Sequence, residues 1–332
     1  MYPKILLLSS VALLLLAGCG SKQYYTPEKT YEASSLSGAE VISFTRDSAT
    51  LSSGVTLTPT KALTLNLEKG YYFINSSVGG SIVANKKGDC QIIQKNGSSK
   101  KIKLPRALVA GTVIDNQLIY LLQNNHFGIY DLAKNSVVYN NKAEKALSID
   151  TRIANPLQVD NLVVIPTLNG KLVILDLATF KISKEIYVST ESTLNNVIFL
   201  KRLNNTLVSA TPHKVISVSN QGKREFKSAI SEVLINDKSI FVFSKDGQIS
   251  QLDESLKVKN QKKFKFAHFS LATMDNNKIY ALDKQGYLIV TNKALTKDKI
   301  YSFPEVEDYS FASAGKIYYN GNVIDLSKLN YE

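Results

Sequence analysis

The chain has 332 residues, with 40 Lys and Arg against 28 Asp and Glu and a formal net charge of +12. This length is ample for a self-sufficient hydrophobic core. The two cysteines are too few for a disulfide framework. Composition therefore excludes a small disulfide-stapled fold.

The first predicted element is a signal peptide. An apolar run follows Lys4 and is shorter than the roughly 20 residues that span a bilayer. It closes on small residues, as a secretory signal does. The tetrad Leu16-Ala17-Gly18-Cys19 resembles a bacterial lipobox, which implies a diacylated, palmitate-bearing mature N-terminus at Cys19. We predict a lipoprotein signal peptide over 1–18; the alternative is a plain signal peptide with an incidental cysteine.

Residues 19–40 are predicted to form the lipidated N-terminus and a flexible tether, because they are polar and lack a sustained apolar period. Gly20 follows the lipobox where inner-membrane retention usually needs Asp, which favours the outer membrane with the protein facing the periplasm. The processed chain keeps 39 basic against 28 acidic residues. For an exported lipoprotein this charge indicates acidic envelope partners, either anionic lipid headgroups or an acidic protein surface, and not nucleic acid.

Basic residues are concentrated in two segments. The first comprises Lys86, Lys87, Lys95, Lys100, Lys101, Lys103 and Arg106. The second comprises Lys257, Lys259, Lys262, Lys263 and Lys265. Alternate residues of the second segment point the same way on a strand, which predicts a solvated outer edge protected from pairing. These five lysines are also candidate partner-binding residues.

From residue 41 to 332 the chain is predicted to be one all-β domain. Short runs of Val, Ile, Leu, Tyr and Phe alternate with turn residues. The hairpin signals recur at intervals of about 35 to 45 residues, which is the length of a four-stranded propeller blade. These signals are Gly79-Gly80, Asn124-Asn125, Asn169-Gly170, Pro212-His213, Asp246-Gly247, Gln285-Gly286 and Asn320-Gly321. We predict a β-propeller of about seven blades, within a range of six to eight. The terminal blade needs strands from the region around 41–67, and Asn169-Gly170 is expected to form a type I′ turn.

The best-preserved repeat, residues 155–181, carries a family resemblance. Its Pro156, Asn169-Gly170, Leu175-Asp176 and Thr179 lie where pyrroloquinoline-quinone-type propeller repeats have Pro, Asp-Gly, Leu-Asp and Thr, although Phe180 replaces the usual Gly. Together with the lipobox, the chain resembles the BamB family of outer-membrane propeller lipoproteins. The resemblance implies eight blades and a partner-gripping Leu-x-Leu-Arg loop. The nearest match is the segment 193–196, which makes Leu194 a candidate partner-binding residue.

Catalysis has little support in the sequence. Trp, the cofactor floor of quinone enzymes with this fold, is absent from the chain. His126, His213 and His268 lie far apart in the sequence, and we interpret them as solvated loop residues. We therefore predict that the protein has no metal site, no cofactor and no catalytic residue. Asp131, Asp176 and Asp325 follow strands and are better explained by Asx turns than by acid–base chemistry.

The sequence therefore predicts a non-catalytic lipoprotein scaffold for protein–protein interaction, with a role in outer-membrane β-barrel protein assembly and a β-barrel assembly complex as partner. Two alternatives stay open. One is a scaffold of another envelope machine, such as a flagellar motor or secretion system. The other is an enzymatic propeller, or one that binds glycan or a small ligand.

Overall fold

The computed structural model describes residues 23–38, 40–65, 67–191, 193–236 and 238–331. Cys19 and the predicted signal peptide lie outside these residues. The described chain forms eight sheets, in which strands that follow one another in sequence pair antiparallel, while Tyr31–Glu32 and Leu36–Ser37 join sheets formed by the C-terminal part of the chain. We number them blades 1 to 8 in chain order.

The first four blades are four-stranded. Blade 1 contains Val41–Phe44, Ala49–Leu51, Val55–Leu57 and Ala62–Thr64. Blade 2 contains Tyr71–Ser77, Gly80–Asn85, Asp89–Ile93 and Ser99–Lys103. Blade 3 contains Leu108–Ile114, Gln117–Leu122, Phe127–Asp131 and Ser136–Asn141. Blade 4 contains Leu157–Val159, Leu162–Pro166, Lys171–Asp176 and Ile182–Tyr187.

The last four blades follow the same plan, and the final two also receive strands from the N-terminal segment. Blade 5 contains Phe199–Leu203, Thr206–Thr211, Lys214–Ser219 and Gly222–Lys227. Blade 6 contains Ile230–Ile235, Ile240–Ser244, Gln248–Leu252 and Val258–Lys263. Blade 7 contains Phe269–Asp275, Lys278–Asp283, Tyr287–Asn292 and Asp298–Ser302, with Tyr31–Glu32 as a fifth strand. Blade 8 contains Ser310–Ser313, Lys316–Tyr319 and Asn322–Asp325, completed by Leu36–Ser37, and a 3₁₀ turn over Leu326–Lys328 follows.

Burial across each blade explains why these sequences form these strands. In blade 6 every residue of the second strand, Ile240–Ser244, is buried, whereas the outermost strand, Val258–Lys263, is exposed at five of its six positions. The second strand of a blade is covered on both sides by neighbouring sheets and is therefore mostly apolar. Clusters of buried side chains lie between successive blades, for example Phe243 of blade 6 against Phe269 of blade 7.

The blade count lies at the upper end of the predicted range of six to eight, and the ring closes differently from the prediction. The count is eight rather than seven, because residues 41–64, expected to complete the terminal blade, form a blade of their own. Their strands have only three or four residues and their turns lack the Asn-Gly signal, so the repeat is weak in sequence. Leu36–Ser37 closes the ring instead by pairing with Val323 and Asn322 of blade 8.

Part of the predicted tether is also paired with the propeller. Tyr31 and Glu32 pair in parallel with Tyr301 and Ser302 at the outer edge of blade 7. Tyr25 is 7% exposed, and its ring packs edge-on against Phe264 and Tyr287 between blades 6 and 7. Contact with the propeller therefore begins well before residue 40.

The two Asn-Gly hairpins adopt different turn types. Asn320 and Gly321 both have positive φ, 46° and 71°, as a type I′ turn requires. In the best-preserved repeat, however, Gly170 has φ 85° while Asn169 is not left-handed, so that hairpin is not type I′. Phe180 adopts φ 54° where the resembling repeats have Gly, an uncommon conformation for a bulky side chain.

The up-and-down strand order gives the ring two distinct faces. The connection face carries the segments that join one blade to the next, and the hairpin face carries the turns between the first and second strands of each blade. No helix within the described residues is long and apolar enough to cross a membrane.

Candidate functional site

The first strands of all eight blades surround a central channel. A cavity of about 880 Å³ is lined by blades 1 to 5, and a smaller one of about 140 Å³ by residues of blades 1 and 5 to 8 together with Arg152. Arg46, Asp47 and Lys201 line both cavities. The channel is therefore divided by charged side chains.

Arg46 is the central element of this division. Its guanidinium forms an ion pair with Glu232 on the first strand of blade 6 and donates a hydrogen bond of 3.2 Å to the Val233 carbonyl. The guanidinium also lies over the Phe199 ring of blade 5, with its central carbon 5.3 Å from the ring centroid. Through these contacts Arg46 connects blade 1 to blades 5 and 6 across the channel.

A second ion pair lies at the start of blade 4. Arg152 holds Asp150 in a two-point contact, with Nε 2.8 Å from Oδ1 and Nη2 2.6 Å from Oδ2. Burial acts to raise the pKa of Asp150, but the hydrogen bonds and charge of Arg152 outweigh it, so the pKa is lowered. The pair anchors the end of the connection between blades 3 and 4.

That connection, residues 142–156, is longer than any other in the propeller. It exposes two apolar side chains on the connection face: Leu147 is 85% exposed and Ile149 is 36% exposed. The sequence signal for this surface is the long interval between the last strand of blade 3 and the first strand of blade 4.

The predicted segment 193–196 supports this connection. Leu194, with φ 47°, donates its backbone N–H to Ser148 Oγ at 3.1 Å. Asn196 is fully buried, accepts the Asp150 N–H at 2.6 Å, and donates to the Asp150 and Arg152 carbonyls at 3.2 and 2.9 Å. The structure therefore places Leu194 beside Ser148, which lies between Leu147 and Ile149 in the chain, and we call the surface formed by residues 147–149 and 194 the connection patch.

The five predicted lysines lie elsewhere, along the outer edge of blade 6. Three of them contact carboxylates: Lys259 with Asp253, Lys262 with Asp298, and Lys263 with Asp246. The outer-edge prediction is confirmed, since Val258–Lys263 is the outermost strand of its blade. The basic edge is thus a surface separate from the connection patch.

The aspartates and histidines considered in the sequence analysis do not form a common site. Asp131 and Asp176 accept hydrogen bonds of 2.8–3.0 Å from the N–H groups two and three residues later, as predicted for Asx turns. The histidines occupy three separate loops, and His213 contacts the Thr193 carbonyl through Nε2 at 2.9 Å. Among the described residues no group of three or more His, Cys, Asp or Glu is placed to hold a metal ion.

Fold and channel together define an eight-bladed β-propeller, and solved structures support this class. BamB from Moraxella catarrhalis superposes with a TM-score of 0.64 at 12% identity, covering 89% of this chain and 98% of that one. The C-terminal WD40 domain of Sif2 gives a TM-score of 0.63 at 12% identity, covering 89% and 97%. At this identity the likeness shows the fold alone.

Sequence similarity points to a different set of proteins. Plasminogen-binding protein PgbB of Helicobacter pylori strain 26695 is 24% identical over 366 residues, covering 95% of this chain and 67% of the relative. PgbB of strain J99 is 27% identical over 227 residues, covering 67% of this chain. The chain matches only 42% of the length of that second relative. No protein-family profile matches the chain.

Proposed function

We propose that this protein is a non-catalytic, lipid-anchored scaffold that binds other envelope proteins at the periplasmic side of the outer membrane, with β-barrel assembly as its context. The observation that carries the proposal is the connection patch. Two apolar side chains are held out from the propeller by a connection that Asn196 and the Asp150–Arg152 pair fix in place. Pre-organised apolar groups of this kind lose little conformational entropy on binding and can serve as anchors for a partner.

The anchor follows from the lipobox resemblance at Cys19. Changing Cys19 to Ala is expected to release a folded protein from the membrane fraction, because this residue supplies the lipid and no part of the described core. Recovery of the variant as a mature integral outer-membrane species would contradict the anchor.

The interaction role is tested by Leu147→Asp, with Val78→Asp as the matched control. The two side chains are 85% and 86% exposed, but Val78 lies on the hairpin face. Cells carrying each tagged variant would be cross-linked, and the partners recovered with the lipoprotein would be quantified. Leu147→Asp is expected to lose partners that Val78→Asp retains. Equal recovery with both variants, at equal urea midpoints, would overturn the role of the patch.

Plasminogen binding is a second candidate, favoured by the similarity to PgbB across 95% of this chain. Immobilised plasminogen would be titrated with the purified protein and with a variant in which Lys257 and Lys265 are replaced by Gln. Saturable binding that the variant loses would favour this candidate. Absence of binding would remove it and leave the scaffold proposal intact.

We also propose that the protein is not an enzyme. Replacing His126, His213 and His268 singly with Gln is expected to leave outer-membrane integrity unchanged. Loss of function from one replacement, with stability and partner recovery preserved, would favour an enzymatic or ligand-binding propeller.

A further inference from the structure

The N-terminal segment is fastened to one side of the propeller. Tyr25 is buried between Phe264 and Tyr287, with ring centroids 6.1 and 5.7 Å away, and Tyr31 pairs with Tyr301 at the edge of blade 7. We call this side, where the outer edges of blades 6 and 7 meet, the 6/7 seam. In a closed ring of eight blades it lies opposite the junction of blades 2 and 3.

Burial of Tyr25 shortens the path from the lipid to the folded domain. Tyr25 is six positions after Cys19 in the chain. An extended chain spans at most ~3.6 Å per residue, so the seam can lie no more than about 20 Å from a lipid attached at Cys19. A tether that was free of contacts up to residue 40 would be long enough for any side of the propeller to face the membrane.

The seam also has the surface chemistry of a membrane contact. Tyr24 and Tyr31 are 51% and 37% exposed there, and Tyr is enriched at membrane–water interfaces. Lys265 lies over the Phe266 ring at 4.9 Å, and Lys257 begins the basic edge of blade 6. Among the described residues neither lysine contacts a carboxylate within 4.0 Å, so their charges remain available for anionic lipid.

We propose that the 6/7 seam rests on the anionic lipid surface of the membrane that holds the anchor, so that the propeller stands on its side. This inference rests on the lipid anchor of the proposed function. Its consequence is that the connection patch, at the junction of blades 3 and 4, is directed away from the lipid and stays open to a partner.

The chain lacks Trp, so the Trp fluorescence of a variant with one introduced Trp comes from that position alone. Val258 on the outer strand of blade 6 and Val137 on the outer strand of blade 3 are 46% and 45% exposed, which makes Val258→Trp and Val137→Trp a matched pair. Each full-length, lipidated variant would be reconstituted into vesicles of phosphatidylcholine and phosphatidylglycerol that carry a headgroup spin-labelled lipid. Fluorescence quenching would be measured after flotation.

We expect strong quenching of the Val258→Trp protein and little quenching of the Val137→Trp protein. Adding Lys257→Glu and Lys265→Glu, or removing phosphatidylglycerol, should reduce the quenching at position 258. The charge-matched changes Lys86→Glu and Lys95→Glu on blade 2 should leave it unchanged.

The outcomes separate the inference from the anchor. Equal quenching at both positions in floating protein would overturn the side-on orientation while leaving the anchor standing. Quenching at position 258 that stays the same when phosphatidylglycerol is removed would overturn the role of anionic lipid. Quenching in native membranes but not in protein-free vesicles would assign the seam to a membrane protein instead. Protein that fails to float would overturn the anchor and the inference together.

Discussion

Arg46 of blade 1 and Glu232 of blade 6 form an ion pair inside the channel, although they are 186 positions apart in the chain. Their side chains are 10% and 11% exposed. Removing one partner of such a pair leaves an uncompensated charge in a poorly solvated site. The pair links two blades that are not neighbours in the ring.

Arg46→Met is expected to lower the free energy of unfolding by about 3 kcal/mol, because Glu232 loses its ion-pair partner. The double variant Arg46→Met, Glu232→Met should recover most of that loss. Urea unfolding of the single and double variants measures both effects. Additive losses would show that the two side chains do not interact.

Gly170 is expected to tolerate Ala less well than Gly97 does. Both have strongly positive φ, 85° and 83°, so both substitutions incur the backbone cost of about 1 kcal/mol. A Cβ at Gly170 would also lie 2.6 Å from the Ser189 carbonyl oxygen, whereas nothing lies within 4 Å at Gly97. The Gly170→Ala loss should exceed the control by about 1–3 kcal/mol, since the crowding atoms belong to a packed loop. Equal urea midpoints for the two variants would contradict this close approach.

The Asp150–Arg152 pair is expected to make stability depend on pH. The folded-state pKa of Asp150 is lowered, so its contribution is present above the unfolded pKa of about 3.9 and is lost as pH falls through the folded value. The stability difference between the wild type and Asp150→Asn should therefore shrink between neutral pH and pH 3. A difference that stays constant over this range would exclude the pair as its source.

Asn196→Ala should release the connection 142–156 without unfolding the blades, because Asn196 makes three hydrogen bonds to residues 150 and 152. Trypsin is expected to cut faster at Lys142 and Lys145, and mass spectrometry of the first fragments reads out the site. Ser148→Ala, which removes the single bond to Leu194, is the milder control. Unchanged cleavage in both variants would mean that other contacts hold the connection.

Cys90 is expected to resist thiol reagents in the native protein. Its side chain is 1% exposed, and burial raises the pKa of the thiol to about 12, so almost no thiolate forms near neutral pH. Labelling by an aromatic disulfide reagent at pH 8 should be slow and should become rapid in urea. Fast labelling of the folded protein would place Cys90 in an opening region of blade 2.

Local patterning determined the all-β class, the four-stranded repeat and the exposed outer edge of blade 6. These follow from alternation and turn residues within a few positions, as at Asn320-Gly321 and Val258–Lys263. The eighth blade was missed because residues 41–64 form short strands without that turn chemistry, and their blade is defined by its neighbours.

Only the tertiary structure decided closure, the channel and the functional surfaces. Leu36–Ser37 pairs with residues near 323, and Asn196 reaches the backbone of residues 150 and 152, contacts that no local pattern encodes. Tyr25 looked like part of a polar tether because its burial depends on a seam formed by residues near 264 and 287. Ring closure brings such distant segments together, since each blade must cover the apolar faces of the next.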